Sequence, residues 1–66
     1  MRFDKDKLVE LQSQRSINNH RLSKAIGVHP STIQNWREGR TPLMHHLVAL
    51  CKYFDVPMDE LLKSEE

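Results

Sequence analysis

The sequence predicts an all-α fold of five short helices. Glycine and proline divide its 66 residues into short segments in which apolar residues recur at intervals of three or four. Residues suited to helix caps precede these segments, and no stretch alternates apolar with polar residues as a half-buried strand does. A chain of this length buries only about 60% of the surface that it exposes when unfolded. We therefore expect one domain, residues 1–66, without an enclosed active site.

The first three helices are predicted from their caps and their breakers. Asp4 suits the N-cap of a helix that runs to Arg15. The second helix follows Asn18 and ends at Gly27, because glycine adopts the positive φ that a sharp turn after a helix requires. The third helix runs from about Pro30 to position 38, and the glycine at 39 ends it. Pro30 follows a cap at position 29 and loses no hydrogen bond at the first helical position.

The last two helices are predicted in the same way. Thr41 is expected to cap the fourth helix, with Pro42 at its first position. A fifth, short helix follows Pro57. The apolar residues expected to return to the core are Leu47, Leu50, Cys51, Phe54, Leu61 and Leu62. Residues 64–66 are expected to form a frayed end.

The charges are unevenly distributed along the chain. The net charge is only +1, but residues 11–53 carry six basic groups and one acidic group, whereas residues 54–66 carry one basic and five acidic groups. A basic central part beside an acidic tail favours a face that binds a polyanion. Within the central part, Arg21 and Lys24 either contact phosphates or belong to a solvated face.

The sequence contains no motif for catalysis, for a cofactor or small-molecule ligand, or for a metal. The single cysteine, Cys51, excludes an internal disulfide and a zinc site built from cysteines. His45 and His46 point about 100° apart on a helix and match no metal-binding spacing. Because no run is long and apolar enough to span a membrane and no signal segment is present, we expect a cytoplasmic protein that is not an enzyme.

Residues 19–38 form the predicted functional unit, a helix-turn-helix in which the third helix projects outward. The apolar residues expected to hold its two helices together and to the rest of the fold are Leu22, Ile26, Val28, Ile33 and Trp36. The other side of the third helix carries short polar side chains instead of the Lys–Glu pairs of an ordinary solvated face. Such side chains donate and accept hydrogen bonds at base edges.

The stretch from Ile17 to Pro42 resembles the lambda-repressor/Cro-like family, also called the xenobiotic-response-element type. The matching residues are Leu22, Gly27, Ile33, Trp36, Gly39 and Pro42, and apolar residues of the fourth and fifth helices follow at the spacing of the family. The resemblance covers nearly the whole chain. It implies a five-helix lambda-repressor-like domain that binds double-stranded DNA with the third helix in the major groove.

The resemblance also implies which residues contact DNA. The base-reading positions fall on Pro30, Ser31 and Asn35, with Thr32 and Gln34 as secondary candidates. The phosphate contacts are assigned to Asn19, His29, Arg37, Arg40 and Thr41. Asn35 suits bidentate pairing with adenine, a preference of roughly 1–3 kcal/mol over a wrong base, whereas Pro30 retains only contact with a thymine methyl group.

Two departures from the family pattern affect this site. Glu38 stands where many relatives carry a neutral amide, and its carboxylate would repel DNA, so we exclude it from the contacts. Relatives often pair an arginine of the first helix with a glutamate of the third, where this chain has Gln12 and Arg37. Either a hydrogen bond between Gln12 and Arg37 replaces that ion pair, or Arg37 is free to reach a phosphate.

The resulting prediction is a sequence-specific transcriptional regulator, a Cro-like repressor from a phage or a bacterium. We expect a homodimer on a pseudo-palindromic operator with half-sites about 34 Å apart. The resemblance places the dimer contacts around Val56, Met58 and Leu62. The alternative is a protein-interaction module of the same fold, such as an antitoxin or regulatory partner, that does not bind DNA directly. A steep dependence of affinity on salt distinguishes the DNA-binding protein from this alternative.

Overall fold

A computed structural model describes residues 2–63 and contains five helices joined by short turns. The helices are α1 (Lys5–Arg15), α2 (Asn19–Ile26), α3 (Pro30–Arg37), α4 (Met44–Phe54) and α5 (Met58–Leu61). The described part of the chain is 68% helical, which confirms the predicted all-α class and its five helices. The frayed end expected at residues 64–66 lies outside the described residues.

The core takes apolar side chains from all five helices. The buried apolar residues are Phe3, Leu8, Leu11, Leu22, Ile33, Trp36, Leu47, Leu50, Phe54 and Leu61. Trp36 is therefore a core residue, as predicted. Cys51, also expected in the core, is only half-buried at its edge, where burial raises the pKa of its thiol. Among the residues that the structure describes, no helix is long and apolar enough to cross a membrane.

The predicted caps of the first three helices are present. The side chains of Asp4, Asn18 and His29 each accept a hydrogen bond from a backbone amide in the first turn of the helix that follows. Each of these bonds satisfies a donor that has no partner within the helix. Pro30 accordingly occupies the first position of α3. The local sequence around each cap thus determines where α1, α2 and α3 begin.

The start of the fourth helix differs from the prediction. α4 begins at Met44, with Leu43 at the cap position and no side chain as a cap, so the predicted cap at Thr41 and start at Pro42 are wrong. Pro42 is buried. Its ring packs into the protein, and the backbone stays extended through Leu43, at a ψ of 158°. Pro42 is therefore a packing residue in the segment before α4 and not the first residue of that helix.

Two very short strands add an element that the sequence did not predict. β1 (Arg2–Phe3) and β2 (Leu62–Lys63) pair antiparallel, with Arg2 opposite Lys63 and Phe3 opposite Leu62. Strands of two residues are too short to show an alternating pattern. Their pairing joins the two ends of the described chain beside the buried ring of Phe3.

Helices α2 and α3 both end in glycines with positive φ. Gly27 has a φ of 77° and directly follows α2. α3 ends one residue earlier than predicted and is followed by Gly39, at a φ of 113°. There the amide of Gly39 donates to the carbonyl of Trp36 and the amide of Arg40 donates to the carbonyl of Asn35, the two bonds of a Schellman motif. The two glycines thus determine the turn into α3 and the path of the chain after it.

Candidate nucleic-acid interface

Helices α2 and α3 form the predicted helix-turn-helix. They pack against each other more extensively than any other pair of elements in the described chain. Leu22 of α2 and Ile33 of α3 are fully buried, and Ile26 and Val28 pack against the same core at its margin. Ser23, also buried, donates from its hydroxyl to the carbonyl of residue 20 at 2.7 Å, so its polar group is satisfied within α2. The pair therefore has a closed apolar side and a free polar side.

The predicted base-reading residues all lie on α3. Ser31, Gln34 and Asn35 are exposed, whereas Pro30 and Thr32 are half-buried. Residues three or four positions apart share a face of a helix, so the three exposed side chains form one polar surface. We call Ser31, Gln34 and Asn35 the outer face of α3.

The predicted phosphate contacts surround the outer face of α3. Asn19 and His29 lie at the N-terminal ends of α2 and α3, where backbone amides and the helix dipole favour anions. Arg40 and Thr41 are exposed just beyond the C-terminal end of α3, and Arg37 lies half-buried in its last turn. A shallow open groove runs between α2 and α3, lined by Asn18, Asn19, His20, Pro30, Gln34 and Arg37. The fold thus brings Asn19 of α2 into the same groove as the candidate residues Pro30, Gln34 and Arg37 of α3.

A continuous series of side-chain hydrogen bonds connects α1, α2 and α3 at this groove. Arg37 Nη1 donates to Gln12 Oε1 at 2.9 Å, and Gln12 Nε2 donates to Asn19 Oδ1 at 3.0 Å. Asn19 Nδ2 donates to Gln34 Oε1 at 3.0 Å, and Gln34 Nε2 donates to Glu38 Oε2 at 2.9 Å. We call these five residues the amide chain. Its first bond is the hydrogen bond between Gln12 and Arg37 that the sequence analysis offered as one of two alternatives.

Two members of the amide chain were not predicted to act at the site. Glu38, which was excluded from the DNA contacts because of its charge, accepts a hydrogen bond from Gln34. Residues four positions apart in a helix are neighbours, so the spacing of Gln34 and Glu38 could have predicted this bond. Gln12 is only 2% exposed, and its Nε2 donates both to Asn19 and to the carbonyl of Ile17, at 3.1 Å. No local pattern indicates this role, because it depends on how α1 packs against the turn before α2.

His29 and Ser31 form a compact hydrogen-bonded pair at the start of α3. The backbone amide of Ser31 donates to Nδ1 of His29 at 3.3 Å, and the hydroxyl of Ser31 lies 2.8 Å from the same nitrogen. Since an amide only donates, Nδ1 must accept, and the neutral ring carries its hydrogen on Nε2. The exposed His29 ring therefore presents a donor, and the hydroxyl oxygen of Ser31 keeps its lone pairs as acceptors.

None of the ion pairs among residues 2–63 includes a residue of the helix-turn-helix. All of them involve residues 4–10, paired with one another or with residues 60–63. The closest joins Lys7 to Glu60 at 3.1 Å, and this contact raises the pKa of Lys7. Within this described range, Arg21, Lys24 and Arg40 take part in no ion pair, and all three are exposed. The acidic groups of these pairs thus neutralise cations of α1 and of residues 60–63 and leave Arg21, Lys24 and Arg40 available to a polyanion.

Of the two neighbouring histidines of α4, His46 is half-buried and His45 is exposed. The ring of His46 lies against Trp36, with centroids 5.4 Å apart, and against His45, at 4.1 Å. Burial, together with the charge of His45, lowers the pKa of His46. Across the described residues, no group of three or more His, Cys, Asp or Glu side chains is arranged to hold a metal ion.

The residues predicted to form a dimer contact lie at the margin of the core. Val56, Met58 and Leu62 are half-buried and pack against the buried apolar cluster. The large exposed apolar side chains lie elsewhere, at the start of α4: Leu43, Met44 and Val48. Packing within one chain is thus sufficient to explain why positions 56, 58 and 62 are apolar.

The fold and the outer face of α3 define a helix-turn-helix domain. The model of the Cro/C1-type HTH DNA-binding domain family matches residues 7–66, and the chain belongs to this family. The match confirms the resemblance on which the candidate residues were assigned.

Two relatives show how the chain compares with longer proteins. It is 32% identical over 62 residues to the HTH-type transcriptional activator BcrR of Enterococcus faecalis, a match that covers 92% of this chain and 30% of BcrR. The crystal structure of a transcriptional regulator from Listeria innocua has the same fold, with a TM-score of 0.86 at 23% identity. That match covers 100% of this chain and 64% of the Listeria chain. The chain thus spans less than two thirds of the length of either relative.

Proposed function

We propose that residues 1–66 act as one sequence-specific DNA-binding unit that regulates transcription, with α3 in the major groove. The observation that carries the proposal is the outer face of α3, which is polar, exposed and bordered by donors for phosphate. An α-helix fits the width of the major groove, where each base pair presents a distinct pattern of donors and acceptors. Membership of the Cro/C1-type family supports the same conclusion.

Base reading is assigned mainly to Asn35 and Ser31. Asn35 is exposed, and its carboxamide makes no hydrogen bond to any other described residue, so both its donor and its acceptor are available to adenine. Ser31 offers an acceptor beside the His29 ring. Gln34 offers its second Nε2 hydrogen, and the half-buried Pro30 and Thr32 supply contacts to thymine methyl groups.

Phosphate binding is assigned to donors on both sides of α3. On one side are the side chain of Asn19 and Nε2 of His29, and on the other are Arg40 and Thr41. Contacts of this kind position the protein on DNA without reading its sequence. Arg37 already donates to Gln12, which supports the structural role for this residue.

We further propose a homodimer on a pseudo-palindromic operator and repression of the gene that follows. A single small domain makes few base contacts, and two-fold symmetry doubles them over half-sites about 34 Å apart. A dimer on an operator that overlaps a promoter would exclude the polymerase. Although BcrR is named an activator, a DNA-binding domain represses or activates according to where its operator lies. A reporter with the selected operator within the promoter should lose expression when the protein is present.

The experiment that tests DNA binding is a salt titration with random duplex, followed by selection from a random duplex pool. Binding through phosphates makes log K fall linearly with log salt, with a slope of about −0.9 for each phosphate contact. Selection should then yield two half-sites related by a dyad. A lack of affinity at low salt, or an affinity indifferent to salt, would exclude the DNA-binding function and favour the protein-interaction module.

A further inference from the structure

We propose that the amide chain holds the carboxamides of Asn19 and Gln34 in one orientation, and that Gln12 and Glu38 are positioning residues for DNA binding. The inference rests on the proposed function for its effect on DNA, but the chain itself is a property of the free protein. Gln12 is buried and Glu38 is an anion, so neither is suited to contact DNA. Both act through the two carboxamides between them.

The direction of the amide chain is forced by its ends. A carboxamide turned by 180° exchanges its donor and acceptor with almost no change in shape, so each of the three amides has two orientations. The ends have only one, because the guanidinium of Arg37 only donates and the carboxylate of Glu38 only accepts. The carbonyl of Ile17, which also only accepts, holds Gln12 from a second side. One orientation of each amide therefore satisfies all neighbours.

This orientation determines what the protein presents to DNA. Asn19 Oδ1 faces Gln12, and Nδ2 faces Gln34 across the open groove. The second hydrogen of Nδ2 is then available to a phosphate oxygen, which only accepts. With Asn19 turned over, its carbonyl oxygen would meet the phosphate instead, and two acceptors repel each other. Gln34 in turn keeps a free hydrogen on Nε2, which suits a base with an acceptor such as guanine O6 or thymine O4.

Reversing the amide chain tests this inference. Gln12→Glu keeps the acceptor for Arg37 but has no hydrogen for Asn19, so Asn19 and then Gln34 must turn over. Gln34 would then present its carbonyl oxygen to the carboxylate of Glu38. Glu38→Gln supplies a donor at that point. We therefore expect Glu38→Gln to restore the part of the stability that Gln12→Glu removes by reversing the amide chain, but not the part lost at the carbonyl of Ile17. In the native chain Gln12 and Glu38 make no hydrogen bond to each other.

The stability readout is a double-mutant cycle on the free protein, measured by urea unfolding. It is run at about 1 M salt, where the Debye length is about 3 Å and direct repulsion between two carboxylates is screened. We expect the two substitutions to be coupled by at least about threefold in the folding equilibrium constant. Additive effects would overturn the inference. If Gln12→Glu does not fold, Asn19→Asp forces the same reversal from Gln34 onward, and Glu38→Gln should rescue it equally.

The affinity for DNA, unlike the stability, should not be restored by Glu38→Gln. In a reversed chain Asn19 presents its oxygen to the phosphate, so Gln12→Glu should weaken binding about tenfold whether or not Glu38→Gln is present. Ser13→Glu is the control, because it adds the same charge at the neighbouring exposed position outside the amide chain. Equal losses in Gln12→Glu and Ser13→Glu would overturn the positioning role. Absence of DNA binding by the wild-type protein would instead refute the proposed function, while the unfolding cycle would still decide whether the amide chain is coupled.

Discussion

Arg37 in the last turn of α3 donates from Nη1 to Oε1 of Gln12 in α1, at 2.9 Å. Because Gln12 is almost fully buried, this bond anchors α3 to the interior of the protein. The bond has a charged donor, and hydrogen bonds of this kind contribute about 1.5–3 kcal/mol when an alternative partner is absent. This contact with α1 therefore helps to hold the orientation of α3.

Arg37→Met should lower the free energy of unfolding by about 1–2 kcal/mol, because it leaves the buried oxygen of Gln12 without its donor. Urea unfolding measures this loss. Lys24→Met is the matched control, since Lys24 is exposed in α2, and its effect should stay within about 0.5 kcal/mol. If Arg37→Met changed the stability little and reduced the magnitude of the slope of log K for DNA binding against log salt by about 0.9, Arg37 would instead be a phosphate contact.

Asn35→Ala should relax the preference for one base position and leave the others intact. Loss of a bidentate contact with adenine reduces discrimination at that position by about 1–3 kcal/mol. Binding assays with the selected operator and its single-base variants measure the change. Uniform weakening across all sequences would show that Asn35 does not read a base.

Arg40→Ala should weaken binding to all sequences by a similar factor and reduce the magnitude of the salt slope by about 0.9. Arg40 is exposed beyond the end of α3 and makes no ion pair with another residue of the described chain. Lys7→Ala serves as the control, because Lys7 is paired with Glu60 away from the helix-turn-helix. An unchanged slope in Arg40→Ala would remove this residue from the phosphate contacts.

Gly27→Ala should destabilise the protein by about 1–2 kcal/mol because the backbone there has a φ of 77°. A Cβ at this position would meet nothing within 4 Å, so the loss comes from the backbone conformation and not from a clash. Gly27→Asn should be milder, since asparagine tolerates the left-handed region. Equal losses in the two variants would indicate that the backbone conformation is not the cause.

The pKa of His46, which burial and then the charge of His45 lower, predicts a pH dependence of stability. Below the unfolded-state pKa of about 6.5, the unfolded chain binds a proton that the folded chain resists, so stability falls as the pH decreases through this region. Urea midpoints at about pH 7.5 and 5.5 measure the fall. His46→Gln should reduce the fall. His45→Gln should reduce it less, because burial is the larger cause.

Local chemistry explains why so much of the fold was predictable. A cap such as Asn18 bonds to an amide three residues away, and a glycine such as Gly27 determines the backbone of its own turn, so both signals lie within a few positions. The start of α4 was mispredicted because Thr41 and Pro42 have the composition of a helix start, while in the folded chain Pro42 is buried and α4 begins at Met44. The strand pair at Phe3 and Leu62 likewise depends on two segments that meet only in the folded chain.

By itself, the sequence determined the five helices, the helix-turn-helix between Asn19 and Glu38, and the polar character of the outer face of α3. The resemblance to the family also indicated Gln12 and Arg37 as a candidate pair between α1 and α3. Only the tertiary structure decided that Arg37 bonds to Gln12 and that this bond continues through Asn19 and Gln34 to Glu38. The physical reason is the reach of each interaction: caps and periodicity act within one or two turns, whereas the amide chain forms only when three separate helices pack side by side.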